Sequence, residues 1–220
     1  MFPLSDTRKL SGRTIVTFVI IILNIYFFYR ELTAIDLNVL IAHFALIPGH
    51  VYFSNPFTWL PLLTSQFLHG GWFHLITNMW FLAVFGPNLE KFWGPVRFAI
   101  YYLLGGVGAG VMQIIFTADP TIPVIGASGA IAGLLGAYLV YFPGHRINTF
   151  IPLGFIPIFI GIPASMVLIY WFGLQVAGGL VPENIAGGSI AFFAHIGGFI
   201  TGVILAAATK PRKGLEKYSL

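Results

Sequence analysis

Six mostly apolar stretches dominate this sequence, at residues 14–29, 72–89, 96–117, 126–141, 161–180 and 189–209. Each approaches the ~20 residues that a helix needs to cross a bilayer. Only 8% of the 220 residues are charged and 57% are hydrophobic, whereas roughly a quarter of an ordinary soluble domain is charged. A soluble globule could not hide that much apolar surface. The composition excludes a disordered chain, a small secreted scaffold and a water-soluble enzyme. The expected fold class is an all-α membrane protein, a six-transmembrane-helix bundle with a long, partly embedded first outer loop at 31–71. Residues 14–209 form the membrane domain, between an N-terminal segment at 1–13 and a basic tail at 210–220.

Lys and Arg set the expected orientation. Six spans put both ends on one side. Arg8, Lys9, Arg13, Lys91, Arg97, Arg146, Lys210, Arg212, Lys213 and Lys217 then share that side, and only Arg30 does not. The termini are therefore expected to be cytoplasmic. The net charge of +4 would suggest nucleic acid in a soluble protein. Here the basic residues sit beside apolar spans, so topology accounts for them and no nucleic-acid partner is expected. The compact chain suits a bacterial cytoplasmic membrane. Two segments do not read as simple spans. The outer connection 31–71 is broken by Pro48, Gly49, Pro56 and Pro61, and the apolar stretch 147–160 contains Pro152 and Pro157. The second is expected at the inner interface, with Pro163 in the first turn of the fifth helix. Glu90 and Arg97, flanking Gly94, read as a structured cytoplasmic turn.

Polar side chains inside spans are costly and mark candidate function. Four stand out, all toward the outer side: His74, Asn78, Ser128 and His195. His74 and Asn78 are four apart and project from one helical face. Each has a plain structural reading when taken singly. Ser128 lies among Gly126, Ala127, Gly129, Ala130 and Gly133, a run that suits close helix packing. His195 precedes Gly198 and Gly202, a GxxxG that also favours packing, and His74 with Asn78 suits an interhelical clamp. Together, at similar depth on three helices, they suit peptide-bond hydrolysis by a serine nucleophile. A hydroxyl needs a nearby base, and His is the usual one. Ser128 at a helix start lies near free backbone N–H groups that favour a developing oxyanion, to which His74 and Asn78 could add donors.

Seven carboxylates exist, at Asp6, Glu31, Asp36, Glu90, Asp119, Glu183 and Glu216, none in the apolar middle of a span. A Ser-His dyad is thus the economical reading, with His195 oriented by packing and backbone contacts. With no cysteine, thiol nucleophiles, thiolate zinc sites and iron–sulfur clusters are excluded. No HExxH motif is present, and His43, His50 and His69 read as solvated or structural. Neither metal nor cofactor is expected.

Three blocks carry a resemblance: LTSQFLHGGWFHLITNMWFLAVFGPNLEKFWG around the second span, GASGAIAG at the fourth and AHIGGFITG at the sixth. From residue 59 to 202 the chain resembles the rhomboid family of intramembrane serine proteases. The resemblance implies a six-helix rhomboid-like bundle with a short, Ser-bearing fourth helix near its centre. It implies Ser128 as nucleophile, His195 as general base, and His74 and Asn78 as oxyanion-stabilising residues. Gly126, Gly129 and Gly198 are the supporting motif glycines. The implied substrates are single-span membrane proteins. They are expected to enter past the fifth span and an outer loop at 181–188, where Trp171 and Phe172 are candidates to line the entry, with lipid-facing packing as the alternative. One position departs: many members carry an aromatic residue four after the nucleophile, stacked on the catalytic His, where this chain has Ala132. A neighbouring apolar side chain could fill that gap. The alternative within the same architecture is a catalytically silent chaperone or retrotranslocation factor. A small transporter or proton channel relaying through His74 and His195 fits less well, because the halves show no internal repeat. The sequence leaves the oligomeric state open.

Overall fold

The computed structural model describes residues 1–52, 54–154, 156–181 and 191–209. In chain order the elements are β1 (Phe2–Asp6), α1 (Ile15–Leu32), α2 (Leu37–Phe44), α3 (Pro61–Thr64), α4 (Trp72–Trp93), α5 (Pro95–Phe116), α6 (Ser128–Tyr141), β2 (Arg146–Leu153), β3 (Ile156–Pro163), α7 (Ala164–Gly179) and α8 (Phe192–Ala207). Three short 3-10 turns complete the connection between α2 and α4. The outer loop expected at 181–188, beside the substrate's entry, and the basic tail at 210–220 lie, all but Val181, outside the described residues. Among those described, α1 and α5 are long and apolar enough to cross a membrane by length and composition, while α6, α7 and α8 are apolar but shorter.

The core forms around α6. Every residue from Gly129 to Tyr138 is buried, as befits a helix that is apolar all round. Small residues let its neighbours approach to backbone distance. A Cβ added at Gly198 or Gly202 of α8 would overlap the carbonyl oxygens of Gly129 and Gly133 on α6. On the opposite side, a Cβ on Gly129 would meet the Cβ of Ala109 on α5 at 2.5 Å. Packing of this kind replaces the hydrophobic drive that lipid cannot supply. The reversal between α4 and α5 is made by Gly94 at φ +83°, followed by Pro95 in the first turn of α5.

Buried carboxylates fasten the periphery. No side chain of its own caps the start of α1. Glu90, near the end of α4, does so instead: its carboxylate accepts the Val16 and Thr17 N–H groups, both at 2.8 Å, and the Thr17 hydroxyl at 2.7 Å. An anion suits this end of a helix, whose first N–H groups have no internal partner. The residue read from sequence as part of a cytoplasmic turn is thus the N-terminal cap of α1. At the other end of α1, Glu31 accepts the His69 N–H at 3.0 and 3.1 Å and ties down the approach to α4.

The all-helical expectation needs correcting. Residues 2–6, 146–153 and 156–163 form an antiparallel sheet in the order β1-β2-β3. Phe2 pairs with Phe150, and Phe150 with Phe159. Their rings stack at 6.0 and 5.3 Å across the three strands. The stretch expected to lie along the inner interface is therefore a hairpin. Pro163 is the last strand residue and precedes α7 with ψ 135°, outside the first turn where it was expected. The apolar run there is strand because β-branched and aromatic residues dominate it and Pro152 and Pro157 bar a helix.

Asp6 locks this sheet to the bundle. Its carboxylate meets His145 Nδ1 at 2.8 Å, Asn88 Nδ2 at 2.5 Å, the Tyr138 hydroxyl, and the Arg8 N–H at 2.8 Å. Burial works to raise its pKa, but the hydrogen bonds from His145, Tyr138 and Arg8 and the His145 charge outweigh burial. The carboxyl is held below its ordinary 3.8. A lowered folded-state pKa contributes stability that is complete above the ordinary carboxylate value and is lost as pH falls through the folded one. Asp6→Asn is expected to cost about 2 kcal/mol at neutral pH. The difference from wild type should close as the pH is taken below ~4. Thermal unfolding of both proteins in detergent across that range measures it.

Candidate active site

Four helices deliver polar groups to one cleft of about 920 Å³, whose lining includes His74, Asn78, Gln113, Ser128, Trp171 and His195. Ser128 opens α6, so the N–H groups of its first turn have no partner inside the helix. Gly126, just before it, adopts φ +125° and donates its N–H to the Ser65 carbonyl at 2.9 Å. That conformation disfavours any other residue. A Cβ there would also lie 2.7 Å from His74 Nε2 and 3.6 Å from Ser128 Oγ. Gly126 therefore keeps open the space that the His74 ring and the Ser128 hydroxyl both border.

His195 lies in the first turn of α8. Ala191, at the N-cap, offers no side-chain cap. Gln113 of α5 acts in its place, its Oε1 accepting the Ala194 N–H at 3.0 Å in a buried contact. This fixes the turn that carries His195, whose Nε2 lies 2.8 Å from Ser128 Oγ. Its other nitrogen, Nδ1, lies 2.8 Å from Gln175 Oε1 on α7. The Gln175 amide nitrogen donates to the Trp171 carbonyl at 3.2 Å, so its oxygen is the atom that faces His195. Nδ1 then carries the imidazole proton, and Nε2 offers its lone pair to the serine.

On α4, the Gly70 N–H points at His74 Nδ1, 3.4 Å away. That leaves the proton of His74 on Nε2, toward Gly126. Asn78 is buried, and its Nδ2 makes no hydrogen bond among the described residues. A buried donor without a partner is costly, and both donors border the cleft that holds Ser128. His69, read as solvated or structural, is the structural case. It is 2% exposed and packs edge-on against His74 at 5.1 Å. Burial first, and His74 second, push its pKa down to about 3, so it is neutral.

Sequence reasoning placed all four polar residues that meet here and missed two others. Gln113 and Gln175 are uncharged and belong to no motif, but each is polar inside an apolar helix, and that cost is a signal. His195 was expected to be held by packing and backbone contacts; a side-chain amide holds it. The aromatic ring beside His195 comes from α7 and not from position 132. The Trp171 ring lies 5.8 Å from His195 and stacks on Phe199, which also stacks on Phe172 at 4.4 Å. Both aromatics thus turn inward, while Met166, Ile169 and Tyr170 cover the outer face of α7. Among the described residues no carboxylate reaches His195: Asp6, Glu31 and Glu90 are engaged as above, Asp36 caps α2 and Asp119 binds Thr121.

The family model of the Rhomboid domain matches residues 56–212, a stretch containing every residue of this cleft. The chain belongs to the rhomboid family. As a rhomboid it is an integral, mainly helical membrane protein. It is 30% identical to "RHOMBOID-like protein 6, mitochondrial" of Arabidopsis thaliana over 71% of this chain and 46% of that protein. It is 32% identical to "Rhomboid-like protease 5" of Toxoplasma gondii over 66% of this chain and 16% of that one. "Inactive RHOMBOID-like protein 8" of Arabidopsis thaliana is 38% identical over 36% of this chain and 22% of its own length. This rhomboid thus spans less than half the length of these relatives. By name, they include both a protease and an inactive protein. They come from a plant and from Toxoplasma, so nothing in them supports the bacterial membrane that the compact chain suggested.

Proposed function

We propose that this rhomboid is an intramembrane serine endopeptidase that cuts single-span membrane proteins in or near their spans. The observation that carries the reading is the 2.8 Å approach of Ser128 Oγ to His195 Nε2. In this reading α1 and α4 to α8 cross the bilayer, both termini are cytoplasmic and the cleft opens toward the outer side. A substrate segment unwinds at the cleft, because a helical backbone hides its carbonyls. Ser128 attacks one carbonyl carbon as His195 takes the hydroxyl proton. The oxygen that gains charge is met by Asn78 Nδ2, the Nε2–H of His74 and the free N–H groups at the start of α6. His195 then protonates the leaving amine, and water, activated by the same base, hydrolyses the acyl-enzyme. No metal or cofactor takes part.

A second reading, a catalytically silent rhomboid-like chaperone or retrotranslocation factor, is favoured by the relative named inactive. Purified protein in liposomes, offered a panel of single-span reporters, separates the two. Cleavage by wild type and none by folded Ser128→Ala or His195→Ala supports the protease. Cleavage that survives Ser128→Ala overturns the mechanism. No cleavage of any reporter by folded wild type supports the silent reading.

A further inference from the structure

We infer that Gln175 is a positioning residue for His195, holding the base in the tautomer and orientation that a carboxylate enforces in a Ser-His-Asp triad. The inference rests on the proposed roles of Ser128 and His195. A free imidazole shuttles its proton between two nitrogens, and only the form protonated at Nδ1 leaves Nε2 able to take a serine proton. The protein meets this need with a neutral amide. Gln175 Oε1 lies 2.8 Å from His195 Nδ1, and its Nε2 is itself anchored on the Trp171 carbonyl at 3.2 Å. The side chain is 9% exposed, on a helix with no charged residue. Burying an amide at such a place is costly unless its hydrogen bonds are made, and one of those it makes is to the base. The ring of Trp171, one turn earlier on the same helix, lies 5.8 Å from the His195 ring and restricts its tilt.

The amide differs from a carboxylate in one respect. It selects the tautomer but adds no negative charge beside the imidazolium that forms as Ser128 attacks. Losing Gln175 therefore costs less than losing a triad aspartate. It acts on chemistry and leaves substrate docking alone, because among the described residues its polar contacts are to Trp171 and His195 and it does not line the cleft.

The test compares wild type, Ser128→Ala, Gln175→Met and Gln175→Glu, all purified in detergent. Met matches the length of Gln without its acceptor, and Glu restores an oxygen at the same place. The first readout is the labelling rate with a fluorophosphonate. In that reaction a Ser128 Oγ–P bond forms, fluoride leaves and His195 accepts the hydroxyl proton, so nucleophilicity is measured without a docked substrate. The second is kcat and KM on a single-span reporter. Gln175→Met is expected to lower labelling and kcat together by about tenfold to a hundredfold, with KM within about twofold. Gln175→Glu is expected to recover most of that loss. Folded Gln175→Met that labels at the wild-type rate overturns the inference. So does an equal fall in both variants accompanied by a raised KM or a lowered unfolding midpoint, the mark of a merely structural role. Wild type that neither labels nor cleaves overturns the serine reading itself, and this inference with it. That outcome is distinct because it appears before any change at Gln175.

Discussion

Replacing Ser128 and His195 together by alanine is expected to cost no more turnover than replacing either alone. Each single variant should lose on the order of 10⁴-fold or more in kcat on a single-span reporter, and the double variant about the same. The hydroxyl and the imidazole touch at 2.8 Å and serve one proton transfer, so once one is gone the other has nothing to act on. Groups that contributed independently would multiply their losses instead. The residual rate in all three variants should be equal, reflecting what Asn78, His74 and the α6 N-terminus still offer a developing oxyanion. Single-turnover cleavage at saturating enzyme makes the comparison, with thermal unfolding as a check that the variants are folded. A double variant a thousandfold worse than either single variant would remove the dyad.

The second large effect concerns stability. Gly202→Leu is expected to destabilise the protein by about 4 kcal/mol or more, in the exceptional range for a point change. At Gly202 even a Cβ overlaps the Gly133 carbonyl, which is backbone and cannot rotate away. The helices α6 and α8 must then separate, and with them Ser128 and His195, so activity should fall with the unfolding midpoint. Gly173→Leu is the control. It is the same substitution on α7, where nothing lies within 4 Å of the added Cβ, and it should move the midpoint by no more than about 1 kcal/mol. Equal effects at the two positions would show that helix propensity, and not the close approach, dominates.

These two predictions mark what was legible in the sequence. Ser128, His74, Asn78 and His195 stood out because polar groups are rare in apolar spans, and Gly198 and Gly202 because small residues four apart announce helix contact. The long apolar stretches likewise gave the helices to within a few residues. Gln175 and Gln113 lacked any pattern of their own; their meaning comes from which helix packs beside which. The sheet was hidden for a different reason. Its strands 146–153 and 156–163 lack strict alternation, since the outer half of the hairpin is apolar on both faces. Residues 2–6 are too few to signal a strand by themselves. Asp6, one of seven carboxylates in the sequence, carries no local sign of His145, its partner far along the chain.

That distance bears on how the protein is made. Asp6 and His145 are 139 residues apart, and β1 has no strand to pair with until β2 has been synthesised. Contacts so far apart in sequence form late, and translation delivers the N-terminal partner first. Residues 2–6, made before the bundle they pack on, are thus among the last to find their native neighbours. While α1, α4, α5 and α6 are being made, β1 is a short, unpaired segment waiting for its template.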